Sequence, residues 1–228
     1  MVGSGLGLSS TAMTRKNLLL NMYGAMHERL GPSYWWPGET PFEIALGAIL
    51  TQNTNWENVT RALANLREES LLSPEKIFAL PEERLAALIR PAGYFRLKAR
   101  RIKHFMTFLH RECGLCPEKI ADFSTQTARA RLLTVNGIGP ETADSILLYA
   151  LHKPTFVVDA YTRRILNRHM LVPEDIGYEE LREYFMDVLP VDVVLYSEFH
   201  ALIVRVGKKW CRKKQPDCSS CPLAGFLE

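Results

Sequence analysis

Apolar side chains recur at three- and four-residue spacing along ten stretches: 15–30, 41–51, 55–68, 81–89, 96–110, 126–135, 141–151, 160–169, 178–189 and 192–207. That period matches the turn of an amphipathic helix, with one face for a core and the other for water. The stretches end at breakers that a helix does not readily cross: Gly31-Pro32, Pro37-Gly38, Ser73-Pro74, Pro91-Ala92-Gly93, Gly137 with Gly139, Lys153-Pro154 and Pro190. Thr40-Pro41 and Ser73-Pro74 each set a capping hydroxyl before a proline at the first helical position. Thr155–Val158 is the only β-like run and is too short to found a sheet. The pattern predicts an all-α chain of about ten helices.

Composition adds size and excludes some classes. With 228 residues, 47% of them hydrophobic, the chain can bury a sizeable core as one large domain or two smaller ones sharing a groove. Residues 1–14 are rich in Gly and Ser and read as a disordered tail without the features of a signal peptide. No apolar run approaches the ~20 residues that a membrane span requires. The five cysteines then point to metal or thiol chemistry in the cytoplasm, or at the nucleoid in a bacterium, rather than to a disulfide framework. The net charge of +3 is modest, but its distribution is uneven. Arg96, Lys98, Arg100, Arg101 and Lys103 form one acid-free basic run, and Arg205, Lys208, Lys209, Arg212, Lys213 and Lys214 form another. Such runs suit one face laid on a phosphate backbone, or two solvated helix faces.

Candidate chemistry lies in two linked segments. In "NGIGPETAD" (136–144) Gly137 and Gly139 can take backbone angles that side chains forbid, while Ile138 plugs the turn into the core. Free N–H groups there and at the start of the next helix can cradle a phosphate oxygen. Downstream, "TFVVDAYTRR" (155–164) delivers Asp159 to the start of a helix, where a carboxylate also serves as an ordinary N-cap. Together these segments resemble the helix-hairpin-helix DNA glycosylases of the endonuclease III superfamily, from about Pro41 to Cys221.

The resemblance implies two helical lobes with damaged double-stranded DNA across the groove between them. A six-helix lobe carrying the hairpin would span 40–154, and 15–39 with 155–228 would form the second. "GAILTQNT" (47–54) looks like the segment whose glutamine, here Gln52, fills the space left by a flipped nucleotide. "PAGYFRLKA" (91–99) looks like a second wedge against the opposite strand. Extruding a base costs a few kcal/mol, so wedges are physically expected. Asp159 would stabilise the positive charge that builds on the sugar and orient the attacking water. Members that also cut the strand carry an amine two residues after the last hairpin glycine, where this chain has Glu141. A carboxylate cannot form the Schiff base, so a monofunctional hydrolytic enzyme is expected. Lys153, the nearest other lysine, reads as a surface residue.

"PSYWWPG" (32–38) followed by Phe42 resembles the 3-methyladenine glycosylase branch. Trp35, Trp36 and Phe42 would form a π-rich slot for an electron-poor alkylated purine, closed by Pro37, although such clusters also build cores. Cys211, Cys218 and Cys221 match three ligands of the superfamily's [4Fe–4S] loop, and Leu227 stands where the fourth would fall. A three-thiolate cluster, a zinc ion and an empty loop all remain open there, with Cys113 and Cys116 apart from it. The expected protein is a monomeric DNA glycosylase. A pyrimidine or mismatch-specific glycosylase and a non-catalytic DNA-binding module are the alternatives.

Overall fold

The computed structural model of the chain describes residues 14–33 and 38–227, so Trp35, Trp36 and Pro37 lie outside the described residues. Among those residues no strand occurs, and the helices are α1 (Arg15–Leu30), α2 (Pro41–Leu50), α3 (Trp56–Glu68), α4 (Pro74–Ala79), α5 (Glu82–Leu88), α6 (Phe95–Cys113), α7 (Thr125–Leu133), α8 (Pro140–Ser145), α9 (Ala160–Arg168), α10 (Tyr178–Met186) and α11 (Val193–Lys209). The all-α expectation holds. Periodicity passed over α4, whose six residues give too few turns to display a period. Both marked starts are real caps: Glu43 N–H donates to Thr40 Oγ1 at 3.1 Å, and Lys76 N–H to Ser73 Oγ at 3.4 Å.

Two hydrophobic cores hold the helices. The first gathers side chains from α2 to α8, including Leu46, Ile49, Leu63, Leu85, Ile102 and Phe105. The second packs Leu19, Met22 and Met26 of α1 against Phe156, Phe185 and Phe199. Phe156 and Phe185 stack with centroids 4.1 Å apart, and Phe199 meets Phe156 edge-on. Each such side chain contributes about 1.5–3 kcal/mol on burial.

Two features join the cores. Helix α8 runs on into a π turn at Ile146–Ala150, which widens the helix by one residue. Ile146, Leu147 and Ala150 serve the first core, whereas Leu148 and Tyr149 serve the second. The other feature is Asp144, fully buried at the end of α8. It accepts from Arg129 Nε at 2.8 Å and Nη2 at 3.0 Å, from Thr155 Oγ1 at 2.8 Å and from Tyr178 Oη at 2.9 Å. Arg182 stands 3.6 Å away. Among the described residues no helix is long and apolar enough to cross a membrane.

Candidate active site

A cleft of about 1120 Å³ opens between the two cores. Its walls are the turn after α2 (Thr51 to Trp56), the hairpin loop from Gly137 to Thr142, the start of α9, and His200, Val204 and Lys208 of α11. The last three are spaced by four, so one helical face supplies them all.

Glycine is required at Gly137 on two counts. Its φ is +92°, and a Cβ there would stand 2.3 Å from Arg101 Cγ. Gly139 differs from the sequence expectation: φ −92° and ψ 179° are angles any residue adopts, and a Cβ would meet nothing within 4 Å. No side chain caps α8, which leaves its first N–H groups for an acceptor from outside the helix. Ile138 is 4% exposed and sits in the first core, as the turn requires. Gln52 is held on the hairpin: its Nε2 donates to Gly137 O at 3.0 Å and to Thr142 Oγ1 at 2.9 Å. Arg101 donates to the same glutamine's Oε1.

Asp159 is a cap and a groove residue at once. Buried Phe156, Val157 and Val158 anchor the extended segment that leads to it. Its Oδ1 accepts from Thr162 N–H at 2.8 Å and Thr162 Oγ1 at 3.0 Å, while its own N–H donates to Thr162 Oγ1 at 3.3 Å. This reciprocal box fixes the carboxylate plane. Oδ2 remains, 3.7 Å from His200 Nε2. Burial by itself raises the Asp159 carboxyl, but His200 and the Thr162 hydrogen bonds outweigh it and leave it below the usual carboxylate value. The group is therefore ionised at neutral pH.

Glu141 lies in the first turn of α8 on the cleft wall. The surrounding protein mass, and then the Asp159 charge, raise its carboxyl above the usual value, against the pull of His200 and Arg163. Lys153 is tied to Phe123 O at 2.5 Å and does not line the cleft. Lys208 does, a lysine that the sequence reading placed only within a basic run. Trp56 and Tyr161 are cleft aromatics that the sequence reading also missed, because each looks like an ordinary member of an amphipathic helix. Phe42, expected in the base slot, is 3% exposed and packs in the first core, not on the cleft wall.

Much of the first basic run is structural rather than a phosphate patch. Lys98 is 1% exposed and caps Leu50 O at 2.8 Å and Ala92 O at 2.7 Å. Lys103 caps Phe78 O at 2.5 Å and Leu80 O at 2.8 Å, ending α4. In the second run Arg205 donates to Leu30 O and Gly31 O, closing α1. Arg212, Lys213 and Lys214 stay exposed.

Cys211, Cys218 and Cys221 line one cavity of about 10 Å³ with Arg168 and Leu227. Arg168 Nη1 donates to Cys211 Sγ at 2.9 Å. Burial, and then the neighbouring thiols, push the Cys221 thiol up. That space holds about one water molecule. The donor set ends at three thiols and a leucine, and among the described residues no group of three potential ligands is arranged to hold a metal ion. These residues do not fit a [4Fe–4S] cube. Cys116, beyond α6, is separate and lies 3.2 Å from Glu118 Oε2.

Comparison with known proteins adds relatives to this geometry. Residues 46–191 match the profile described as HhH-GPD superfamily base excision DNA repair protein. A Methanocaldococcus jannaschii protein named "putative DNA repair glycosylase" is 47% identical over 210 residues, covering 92% of this chain and 95% of its own length. Endonuclease III of Thermotoga maritima is 30% identical over 189 residues, covering 82% of this chain and 83% of that protein. The solved 3-methyladenine DNA glycosylase of H. pylori, bound to 1,N6-ethenoadenine, superimposes with a TM-score of 0.74 at 29% identity, over 86% of this chain and 97% of that one. An endonuclease III–DNA complex at 23% identity shares the fold with a TM-score of 0.80, over 95% and 96%.

Proposed function

Because this chain belongs to the HhH-GPD superfamily of base excision DNA repair proteins, we propose that it hydrolyses the N-glycosidic bond of alkylated purines such as 3-methyladenine in double-stranded DNA, leaving the strand uncut. One observation carries the reading: an ionised Asp159 on the cleft wall faces a hairpin that offers Glu141 instead of an amine. As the base departs, positive charge develops on the sugar, and the Asp159 carboxylate stabilises it across the cleft. An alkylated purine is already cationic, so its departure needs little proton donation. Water completes the substitution, because no carboxylate at position 141 can form an imine.

Positioning falls to the surrounding groups. The Gly137–Thr142 turn would hold a backbone phosphate beside the lesion through N–H groups. Gln52, already fixed against that turn, would enter the stack as the base leaves it. Trp35 and Trp36 are proposed for the base slot with Pro37, and Trp56 and Tyr161 add aromatic surface on the cleft wall. The likeness to the H. pylori 3-methyladenine glycosylase supports an alkylated purine as substrate. The protein is expected to act as a monomer in the DNA-containing compartment.

A second reading has its own support. The T. maritima endonuclease III relative and the amine of Lys208 on the cleft wall favour a glycosylase that also cleaves the strand. Incubation with methylated duplex, followed by chromatography of released bases and electrophoresis of the strand, separates the two. Free 3-methyladenine with a strand that breaks only on alkaline treatment is expected. A borohydride-trapped covalent complex would reject the hydrolytic reading in favour of the second. Asp159→Asn should slow base release about 100–1000-fold.

A further inference from the structure

His200 and Tyr149 form a buried pair that the chemistry above leaves unused. Each is 5% exposed, His200 on α11 and Tyr149 within the π turn. The Tyr149 hydroxyl lies 2.5 Å from His200 Nδ1. On the other side of the ring, Nε2 is buried without a hydrogen-bond partner among the described residues. It stands 3.7 Å from Asp159 Oδ2, and His200 lines the cleft. An unmatched buried polar atom costs about 1–3 kcal/mol, so its retention calls for a use. The gap to Asp159 exceeds a direct hydrogen bond, yet one water molecule at ordinary contact distances of about 2.8 Å can touch both atoms.

We propose that His200 is a positioning residue for the hydrolytic water, oriented by Tyr149 and acting together with Asp159. The proposal rests on the assignment of Asp159 made above. Tyr149 gives its hydroxyl hydrogen to Nδ1, which leaves the ring hydrogen on Nε2. Nε2–H then donates to the water oxygen, and Asp159 Oδ2 accepts one water hydrogen. The remaining oxygen lone pair forms the new bond to the sugar carbon as the carbon–nitrogen bond breaks. The bond electrons leave with the cationic base, which departs neutral. The water proton passes to Oδ2, and the protonated Asp159 later releases it to solvent. Atoms and charge balance without another reactant.

The electrostatic surroundings agree with these roles. Burial, then the charges of Asp159 and Glu198, raise the Tyr149 phenol well above its usual value, so it keeps a hydrogen to donate. Glu141 from α8 and Arg163 from α9 bear on the same cluster from opposite signs. Lys208 of α11 and Tyr178 of α10 line the cleft beside it.

Single-turnover base release from methylated duplex, measured between pH 4 and pH 9, tests the proposal on the full chain. His200→Leu should slow the step about 10–100-fold at neutral pH, in the lower range of what one proton-handling group contributes. Its affinity for duplex containing a stable abasic analogue should stay within about twofold of the parent, because the buried Nε2 is directed at Asp159 Oδ2 rather than at a phosphate. The acid limb of His200→Leu should move to higher pH, since Asp159 then keeps its burial and loses its neighbour. His200→Gln, which can carry an N–H at the Nε2 position, should recover to within about fivefold of the parent, and Tyr149→Phe should lose about 3–10-fold.

Rates for His200→Leu and Tyr149→Phe within twofold of the parent, with an unmoved acid limb, would overturn the proposal. So would a His200→Gln protein as slow as His200→Leu. If circular dichroism shows His200→Leu unfolded, His200→Gln and Tyr149→Phe carry the same test. Asp159→Asn is the separate control: parent-like release in that protein removes the carboxylate assignment itself, whatever the His200 variants do.

Discussion

Replacing Asp144 with Asn keeps the shape of the side chain and removes one charge from a sealed site. Asp144 is 0% exposed, and its oxygens take four hydrogen bonds from Arg129, Thr155 and Tyr178, with Arg182 also beside them. An amide must turn its NH2 either toward Arg129 Nε and Thr155, or toward Arg129 Nη2, Tyr178 and Arg182. Donor then faces donor in both settings. Arg129 and Arg182, each with a side chain 15% exposed, lose a countercharge that water cannot fully replace. Breaking a buried pair this way costs about 3–5 kcal/mol. Glu179 still reaches Arg129 at 2.7 Å, but that carboxylate is half-exposed and screened. For a chain of this size each kcal/mol moves Tm by about 2–4 °C, so Asp144→Asn should melt roughly 6–20 °C below the parent. Thermal unfolding followed by circular dichroism at pH 7 reads this directly. Tyr178→Phe alone should cost about 1.5–3 kcal/mol, and distinctly less in the Asp144→Asn background because the two share one hydrogen bond. An Asp144→Asn melt within about 2 °C of the parent, or strictly additive losses in the double variant, would refute the joining role of Asp144.

Other perturbations test the hairpin and two charged side chains. Gly137→Ala must accept a left-handed backbone at about 1–2 kcal/mol and drive Arg101 away from Gln52. Affinity for damaged and undamaged duplex should fall together by about 5–30-fold in fluorescence anisotropy, and unchanged binding would contradict the required turn. Glu141 is exposed in the first turn of α8, so the raised value of its carboxyl costs the fold only a little at neutral pH, and that cost ends once it is protonated. Glu141→Gln should therefore raise Tm at pH 7, with the gain shrinking as the pH falls toward 4; a lower Tm at pH 7 would oppose this. Burial, and then Arg101, bring Lys98 down to about 8 from 10.5. Between those values the unfolded chain holds a proton that the folded chain has shed, so stability rises with pH there, and Lys98→Met should abolish that rise in denaturant titrations.

Local chemistry written in the sequence came through well. The periodicity located ten of the described helices, and Thr40-Pro41 and Ser73-Pro74 marked real starts. Asp159 read as both a cap and a candidate carboxylate, and it serves the cleft while capping. What periodicity could not show was the destination of long cations. Lys98, Lys103 and Arg205 look like surface charge in a linear chain, yet each reaches a carbonyl cluster at a helix end set by tertiary packing. His200 was hidden for the converse reason. It sits among apolar residues of α11, where a histidine normally reads as core, and only folding brings it to Asp159. Phe42 illustrates the limit of aromatic clustering: it stands near two tryptophans in sequence, yet its ring packs in the first core.

The π turn at Ile146–Ala150 bears on how far the hairpin can be treated as a portable part. A helix-turn-helix cassette cut after Ser145 would carry the glycine turn and Glu141, and it would look complete by its motif. It would arrive without the extra residue that directs Tyr149 into the second core while Ile146 and Leu147 stay in the first. Removing one residue from that turn restores ordinary helical phase and swings every later side chain by roughly 100°. Tyr149 would then lose its line to His200, and the chain would enter Thr155 with the wrong face toward Asp144. The register of five apolar residues, none of them chemically reactive toward DNA, thus sets whether the two halves of the groove meet in phase.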